Sequence, residues 1–499
     1  MSSAELYDRY KTKMQKIADV KFASAVLQWD QETYLPPKGA DFRGRQIASL
    51  AEIAHERFTD ESIGNLLREI LTREDLPDRQ KRNVELSFED YTRSIKFTPA
   101  FVRNMSEAVS KSYHDWVSAR KANSFDVFAK SLSVIVDLKK QEADIIGFNK
   151  HPYDALMNDY DKGLTVETTD NIFKKLQPEL SKLLDNINNK IQVDNQFLFQ
   201  KYNKDKQWTF GLEILKQIGY DFEAGRQDIS EHPFTTNFNN ADVRVTTRID
   251  ENDFGSMLWS CIHEGGHALY EQGLPGEEYG LPLGEYCSLS IHESQSRLWE
   301  NCVGRGLPFW VDNYPILQTT FPDQLRNIDL PVFYKGINKV QPSLIRTEAD
   351  ELTYHFHVMI RYEIEKKLIE GSLSVKEIPE IWNHLYKKYL GLKVPDDKRG
   401  CLQDIHWSHG SFGYFATYSI GSLYAAQFFA AILRQHPATE KHIRMGETTV
   451  VLNWLKQHIF QFGRYYNSEA LCRLASGSDL DSEHFTSYAK TKFAEIYVS

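Results

Sequence analysis

Cysteine is scarce in this chain: five residues in 499 (Cys261, Cys287, Cys302, Cys401 and Cys472), an odd number with no Cys-x-x-Cys pair. That pattern excludes a disulfide framework and fits the reduced thiols of a cytoplasmic protein. Basic charge is also short, with 59 Lys and Arg against 69 Asp and Glu and a net charge of −10. A nucleic-acid binder needs a basic face, so nucleic acid is not an expected partner. The first residues carry neither a basic segment nor an apolar core, so no signal peptide is expected. Long apolar runs are missing with one exception, residues 413–433, which hold no charge and are long enough to cross a bilayer. That stretch includes Tyr414, Thr417, Tyr418, Ser419, Ser422, Tyr424 and Gln427. It reads as a buried helix, and no membrane partner is expected. Repeats, low-complexity tracts and flexible linkers are missing as well. The chain therefore reads as one domain over residues 1–499, with a helical N-terminal portion (1–230) and a second portion (231–499) that holds the chemistry-bearing motifs.

What is present is helical periodicity. Apolar residues recur at three- and four-residue spacing over 4–29, 40–73, 78–96, 99–121, 124–147 and 165–192. Breaks fall at Pro36-Pro37-Lys38-Gly39, at Leu76-Pro77, around His151-Pro152 and in the polar run 193–206. Further helices are expected at 254–272, 288–303, 342–371, 375–391, 413–435 and 446–464. The strand signals are Asp242–Ile249, where β-branched and polar residues alternate, and Glu231–Phe238 just before it. The fold class is mainly α: a single large helical unit with a cleft, and a small β-hairpin or three-stranded sheet beside helix 254–272. The Gly/Pro-rich loop 273–285 suits a lid or pocket wall.

Helix 254–272 carries His263-Glu264-Gly265-Gly266-His267, followed by Glu293 in His292-Glu293-Ser294. Positions i and i+4 lie one turn apart on one helical face, so both imidazoles can reach a single zinc ion at about 2.0–2.1 Å. Glu264, one residue round the helix, sits beside the metal, where a carboxylate can take a proton from the attacking water. Glu293, preferred over the alternative His292 because a mixed neutral and anionic shell suits catalytic zinc, completes a two-His, one-Glu set with a fourth position open. Glu271, Glu277, Glu278 and Glu285 compete for that third place on sequence alone, although Glu271 lies too far along the helix to chelate easily. The bland reading is an amphipathic helix with ordinary histidines. Against it stand Gly265 and Gly266, each costing about 0.8–1.0 kcal/mol of helix propensity relative to alanine. Two adjacent glycines within one turn imply that substrate or a neighbouring helix approaches the backbone closely. Cys261 turns away from the metal and reads as a small core residue.

Other candidates carry bland readings, which are the default for each. Arg346 and Arg244 could grip a carboxylate with a bidentate fork, but an ion pair from Arg346 to Asp350 or Glu348 is the default. His406 could donate to a tetrahedral oxyanion or serve as a hydrogen-bonded structural histidine, and His232 has the same two readings. Tyr414 and Tyr418, at i and i+4, could reach a reacting carbonyl or simply pack.

Taken together, the segments resemble one family. His232-Pro233-Phe234, Asp242-x-Arg244-x-Thr246, His263-Glu264-x-x-His267, His292-Glu293-Ser294, Ile345-Arg346-x-x-Ala349-Asp350 and Gly400-x-x-Gln403-Asp404-x-His406-Trp407 occur in order. The early Gln28-Trp29-Asp30-Gln31-Glu32-Thr33 fits the same pattern. This is similar to the zinc carboxypeptidases named after carboxypeptidase Taq, the thermostable carboxypeptidase 1 family. The resemblance implies a mostly helical fold with a deep substrate groove and a homodimer. It implies release of single residues from peptides with a free C-terminus, with broad specificity and proline disfavoured. It also implies one Zn2+ per chain, for which Co2+ can substitute, bound by His263, His267 and Glu293. Glu264, His406 and Tyr418 would be catalytic, and Arg346, Arg244, His232 and Tyr414 would bind substrate. An endopeptidase would use no carboxylate anchor. A non-catalytic peptide-binding protein would close its metal shell.

Overall fold

A computed structural model describes residues 1–497. Helix accounts for 69% of the chain, in line with the mainly α expectation. Two compact units are formed from interleaved segments. The first comprises Met1–Ile95, Asp194–Ile337 and Tyr424–Leu480, and the second comprises Lys96–Val193, Asn338–Leu423 and the chain from Asp481.

In the first unit, α1 (Ser3–Thr33) opens on a capping box in which Ser2 and Glu5 satisfy each other's backbone N–H. Its apolar face buries Leu6, Tyr10 and Met14 against Leu67, Ile70, Val84 and Tyr91. The periodicity over 40–73 divides into α2 (Ala40–Thr59) and a helix at Glu61–Leu71. The cause is Asp60, which leaves the helical region at ψ 134° and accepts the Ser62 N–H at 2.9 Å. Among the described residues there is one sheet, three-stranded in the order β1-β3-β2, with β1 at Gly225–Ile229, β2 at Thr235–Asn239 and β3 at Asp242–Thr247. β2 and β3 form the expected hairpin, whereas β1, parallel to β3, is polar in sequence and shows no alternation to predict it.

The sheet lies against helix Phe254–Gln272, which begins at an Asp253 cap and ends at Gly273. The two glycines in that helix have steric reasons. A Cβ on Gly265 would come within 2.7 Å of Leu215 and 2.8 Å of Ile218, side chains of helix Lys204–Ile218. A Cβ on Gly266 would meet the backbone of Gln295 and Ser296 at 2.7 Å. Those two residues belong to helix Leu289–Arg297, which continues as a π-helical segment over Leu298–Gly304 rather than as α-helix to 303. The loop after Gly273 is pinned: buried Glu278 accepts from Asn83 Nδ2 at 2.8 Å, and Asn83 Oδ1 accepts the Leu283 N–H at 2.9 Å. It is a wall of the unit rather than a free lid.

In the second unit, the helix expected from 342 begins only at Tyr354. Asp350 stops it from starting earlier by collecting the N–H groups of Gln341, Leu352 and Thr353 at 2.9–3.0 Å. Helix Phe415–Gln435 is the one segment among the described residues apolar enough to cross a membrane, and 83% of its most apolar window is buried within the fold, matching the buried-helix reading. Helix Tyr354–Glu370 holds the buried carboxyl of Glu365, which accepts hydrogen bonds from Tyr153 Oη–H, Trp407 Nε1–H at 2.7 Å and the Gly413 N–H at 2.9 Å. Burial pushes its pKa up to about 7 from 4.5, against the pull of those hydrogen bonds.

Two outcomes follow from this packing. Gly266→Ala forces backbone apart and should lower stability by about 1–3 kcal/mol in a denaturant melt, more than Gly265→Ala, which meets only movable side-chain tips. Equal losses would contradict the close approach. Because folded Glu365 keeps its proton between about pH 4.5 and 7 while the unfolded chain releases it, stability should fall as pH rises through that window and level off above it. The window should vanish in Glu365→Gln, checked by melting both proteins at pH 5 and pH 8.

Candidate metal centre

His263 and His267 occupy successive turns of helix Phe254–Gln272, and Glu293 is brought to them by helix Leu289–Arg297 at the Gly266 contact. Glu293 Oε2 lies 3.7 Å from His263 Nε2 and 3.5 Å from His267 Nε2, and the three ligand atoms all fall within 4.8 Å of one another. Ligands at about 2.0–2.1 Å from a tetrahedral ion stand roughly 3.3 Å apart, so the spacing suits one divalent metal.

The outer nitrogens are fixed. His263 Nδ1 donates to Glu300 Oε2 at 2.9 Å, and His267 Nδ1 donates to the His292 carbonyl at 3.1 Å. Both rings therefore present Nε2 to the shared space, the arrangement a metal site requires. Glu293 is oriented by Arg297 Nε at 2.7 Å and Ser296 Oγ at 3.1 Å. Arg297 also reaches Glu300 at 3.3 Å, and Arg305 holds the other oxygen of Glu300 at 3.1 Å. Burial pushes the Glu293 and Glu300 carboxyls upward. Arg297 and His263 outweigh it and hold both well below the usual carboxylate range, so both are ionised. Burial and the neighbouring His292 lower His267 to about 3, which keeps that ring neutral and able to ligate. A donor set of two imidazoles and one carboxylate is suited to a catalytic divalent ion.

Glu264 is buried beside this set. Thr235 Oγ1 donates to its Oε2 at 2.7 Å. Burial raises the Glu264 pKa, with His263 opposing, which moves the carboxyl toward the range useful for proton transfer near neutrality. His292, the alternative third ligand, instead engages Glu271 at 2.8 Å and stacks on His267 with ring centroids 4.4 Å apart. Glu278 and Glu285 pair with Arg79 and Arg464. Cys261 points to Gln227 and Met257, with burial pushing its thiol up to about 12.

The remaining candidates divide between the units. In the first, Arg244 forms a bidentate pair with Asp242 at 2.9 Å and stacks on Trp29 with its guanidinium 4.4 Å from the ring centre, while His232 is exposed. In the second, Arg346 is buried and pairs with Asp404 at 2.9 Å, not with Asp350 or Glu348, and its Nη1 donates to Tyr354 Oη at 3.2 Å. Arg361 holds the second oxygen of Asp404 at 2.6 Å, so two guanidinium groups share one carboxylate. His406 Nε2 lies 3.4 Å from Tyr418 Oη, and the His406 and Tyr414 rings are 5.5 Å apart. Burial first, then Arg346, lowers His406 to about 3. Asp404, 58 residues from Arg346 and beyond the reach of local spacing, thus joins Arg346 to Arg361. His406, Tyr414 and Tyr418 pack against one another, and the Arg346 guanidinium lies 5.0 Å over the Tyr418 ring.

Sequence reasoning also missed Glu300, Arg297 and Thr235. Glu300 lies seven residues after Glu293, two turns along one helical face, which is the signal that could have found it.

A helical fold carrying His-Glu-x-x-His, a glutamate from the next helix and a buried carboxylate beside them defines a metallopeptidase. The family model described as carboxypeptidase Taq (M32) metallopeptidase matches residues 9–493. Thermostable carboxypeptidase 1 of Thermus thermophilus is 37% identical over 488 residues, 95% of each chain. The crystal structure of an M32 carboxypeptidase from Deinococcus radiodurans R1 superposes with a TM-score of 0.97 at 37% identity, covering 99% of this chain and 100% of that one. A Trypanosoma cruzi metallocarboxypeptidase 1 gives 0.93 at 32% identity over the whole of both chains. The chain belongs to the carboxypeptidase Taq (M32) family and is a metallocarboxypeptidase.

Since Glu300 orients His263, Glu300→Gln should weaken metal binding by about 10–100-fold. Competition against a chromophoric chelator measures this, and unchanged affinity would remove Glu300 from the site.

Proposed function

We propose that this protein is a zinc carboxypeptidase that releases single residues from the free C-terminus of peptides, with broad tolerance and proline disfavoured. The observation that carries the reading is the convergence of His263, His267 and Glu293 with buried Glu264 held beside them by Thr235. Zinc bound by those three residues, or cobalt in its place, supplies Lewis acidity and a lowered pKa for water. Glu264 accepts the proton of the attacking water and later delivers it to the leaving amine. Thr235 keeps one oxygen of Glu264 hydrogen-bonded and so fixes the carboxylate plane. Arg297 and Ser296 keep Glu293 ionised and oriented throughout.

The roles of the remaining residues rest on the family pattern and on their chemistry. Arg346 anchors the terminal carboxylate, with Arg244, His232 and Tyr414 as further substrate contacts. His406 and Tyr418 donate to the oxyanion. The low pKa of His406 suits this role, since a neutral imidazole can act as a donor without titrating near neutrality. The chain acts as one metallocarboxypeptidase domain, a cytoplasmic homodimer with peptides as its partners and neither nucleic acid nor membrane among them.

One peptide offered as free acid and as C-terminal amide tests this directly. Mass spectrometry should show stepwise loss of single residues from the acid and none from the amide. Equal cleavage of both, or internal cuts, would make it an endopeptidase. Glu264→Gln should retain the metal and lose at least about a thousandfold in kcat, in keeping with loss of a general base. Full activity in that variant would remove Glu264 from the mechanism.

A further inference from the structure

The end of α1, the start of α2 and the outer edge of β2 enclose a cavity of about 510 Å3 that opens to solvent. Its lining includes Trp29, Glu32, Gly44, Ile47, Thr235 and Thr236. Three features of it are independent. First, Thr235 is the residue that hydrogen-bonds Glu264, so the cavity begins one side chain from the proposed base. Second, β2 is an edge strand. Its register with β3 pairs Thr236 with Arg244, and the Phe234 carbonyl accepts the Thr246 N–H at 2.9 Å. Alternation then turns the Thr235 N–H and C=O outward along the cavity, where an extended peptide backbone can pair with them.

Third, Gly44 sits inside α2, where glycine is destabilising relative to alanine, yet a Cβ built there meets nothing within 4 Å. Unlike Gly265 and Gly266, it is not required by packing. A side chain at 44 would project into the open space instead. Glu32 is the charged group of the lining, while nearby Asp30 is neutralised by Arg43 at 2.6 Å.

We infer that this cavity is the subsite for the substrate residues that precede the scissile bond, kept open by Gly44 and biased by Glu32 toward Lys or Arg. The inference rests on the carboxypeptidase reading above. An enzyme that removes one terminal residue needs a closed site for that residue only. The rest of the peptide must leave through an opening, and this cavity is open to solvent.

The test uses pentapeptides that share their last two residues and carry Lys or Glu third from the C-terminus, together with the N-acyl dipeptide of the same two residues. Gly44→Phe should lower the ratio of kcat/KM for pentapeptide over acyl dipeptide by about tenfold or more. Glu32→Gln, an exposed change that keeps the fold, should reduce the Lys-over-Glu preference by about fivefold. An unchanged ratio in Gly44→Phe, or an unchanged preference in Glu32→Gln, overturns the inference while wild-type turnover leaves the carboxypeptidase reading standing. If the wild-type protein releases no C-terminal residue from any of these peptides, the two readings fall together.

Discussion

The candidate metal centre depends on one close approach, the backbone of Gly266 against that of Gln295 and Ser296. His263 and His267 are neighbours by helical geometry alone, but Glu293 belongs to a different helix and reaches them only if the two helices meet without intervening side chains. Glycine at 266 permits that, and glycine at 265 lets helix Lys204–Ile218 support the opposite side. The helix-propensity cost of two glycines is the local penalty for a site assembled from two helices. The π-helical segment that follows then swings Glu300 onto His263, a placement in keeping with the tendency of such segments to occur at functional sites.

Charge is handled in a similar way in both units: a buried carboxylate is shared between two guanidinium groups. In the first unit Arg297 bridges Glu293 and Glu300, and Arg305 takes the remaining oxygen of Glu300 while lying 3.8 Å over the Trp259 ring. In the second, Asp404 is shared by Arg346 and Arg361, which leaves that cluster with one more cation than anion. Removing one member of such a network strands a buried charge, so these residues are coupled to stability. A surplus cation among buried groups also suits a site that must receive a carboxylate.

How much of this is legible in the sequence depends on the range of the interaction. The His-Glu-x-x-His helix and its limits follow from spacing and propensity, because each involves neighbours within a turn. Its glycines signal a close approach without telling substrate from a neighbouring helix, and the structure places helices there. β1 is not legible, since Gly225–Ile229 is held by pairing with β3 and not by its own pattern. The start of helix Tyr354–Glu370 is misjudged because apolar spacing carries no information about Asp350 gathering three backbone N–H groups. The partner of Arg346 is misjudged for a related reason: nearby Asp350 is already occupied, and Asp404 is distant in sequence. Local rules find candidate residues, and tertiary structure decides which of them pair.

X-ray absorption at the K-edge of the metal in the purified protein tests the central claim most directly, because it reads the ligand set without reference to turnover. The expected result is a shell of nitrogen and oxygen only, at about 2.0–2.1 Å, with the outer-shell scattering of two imidazoles. A sulfur shell near about 2.3 Å, or the signature of fewer than two imidazoles, would contradict a centre built from His263, His267 and Glu293.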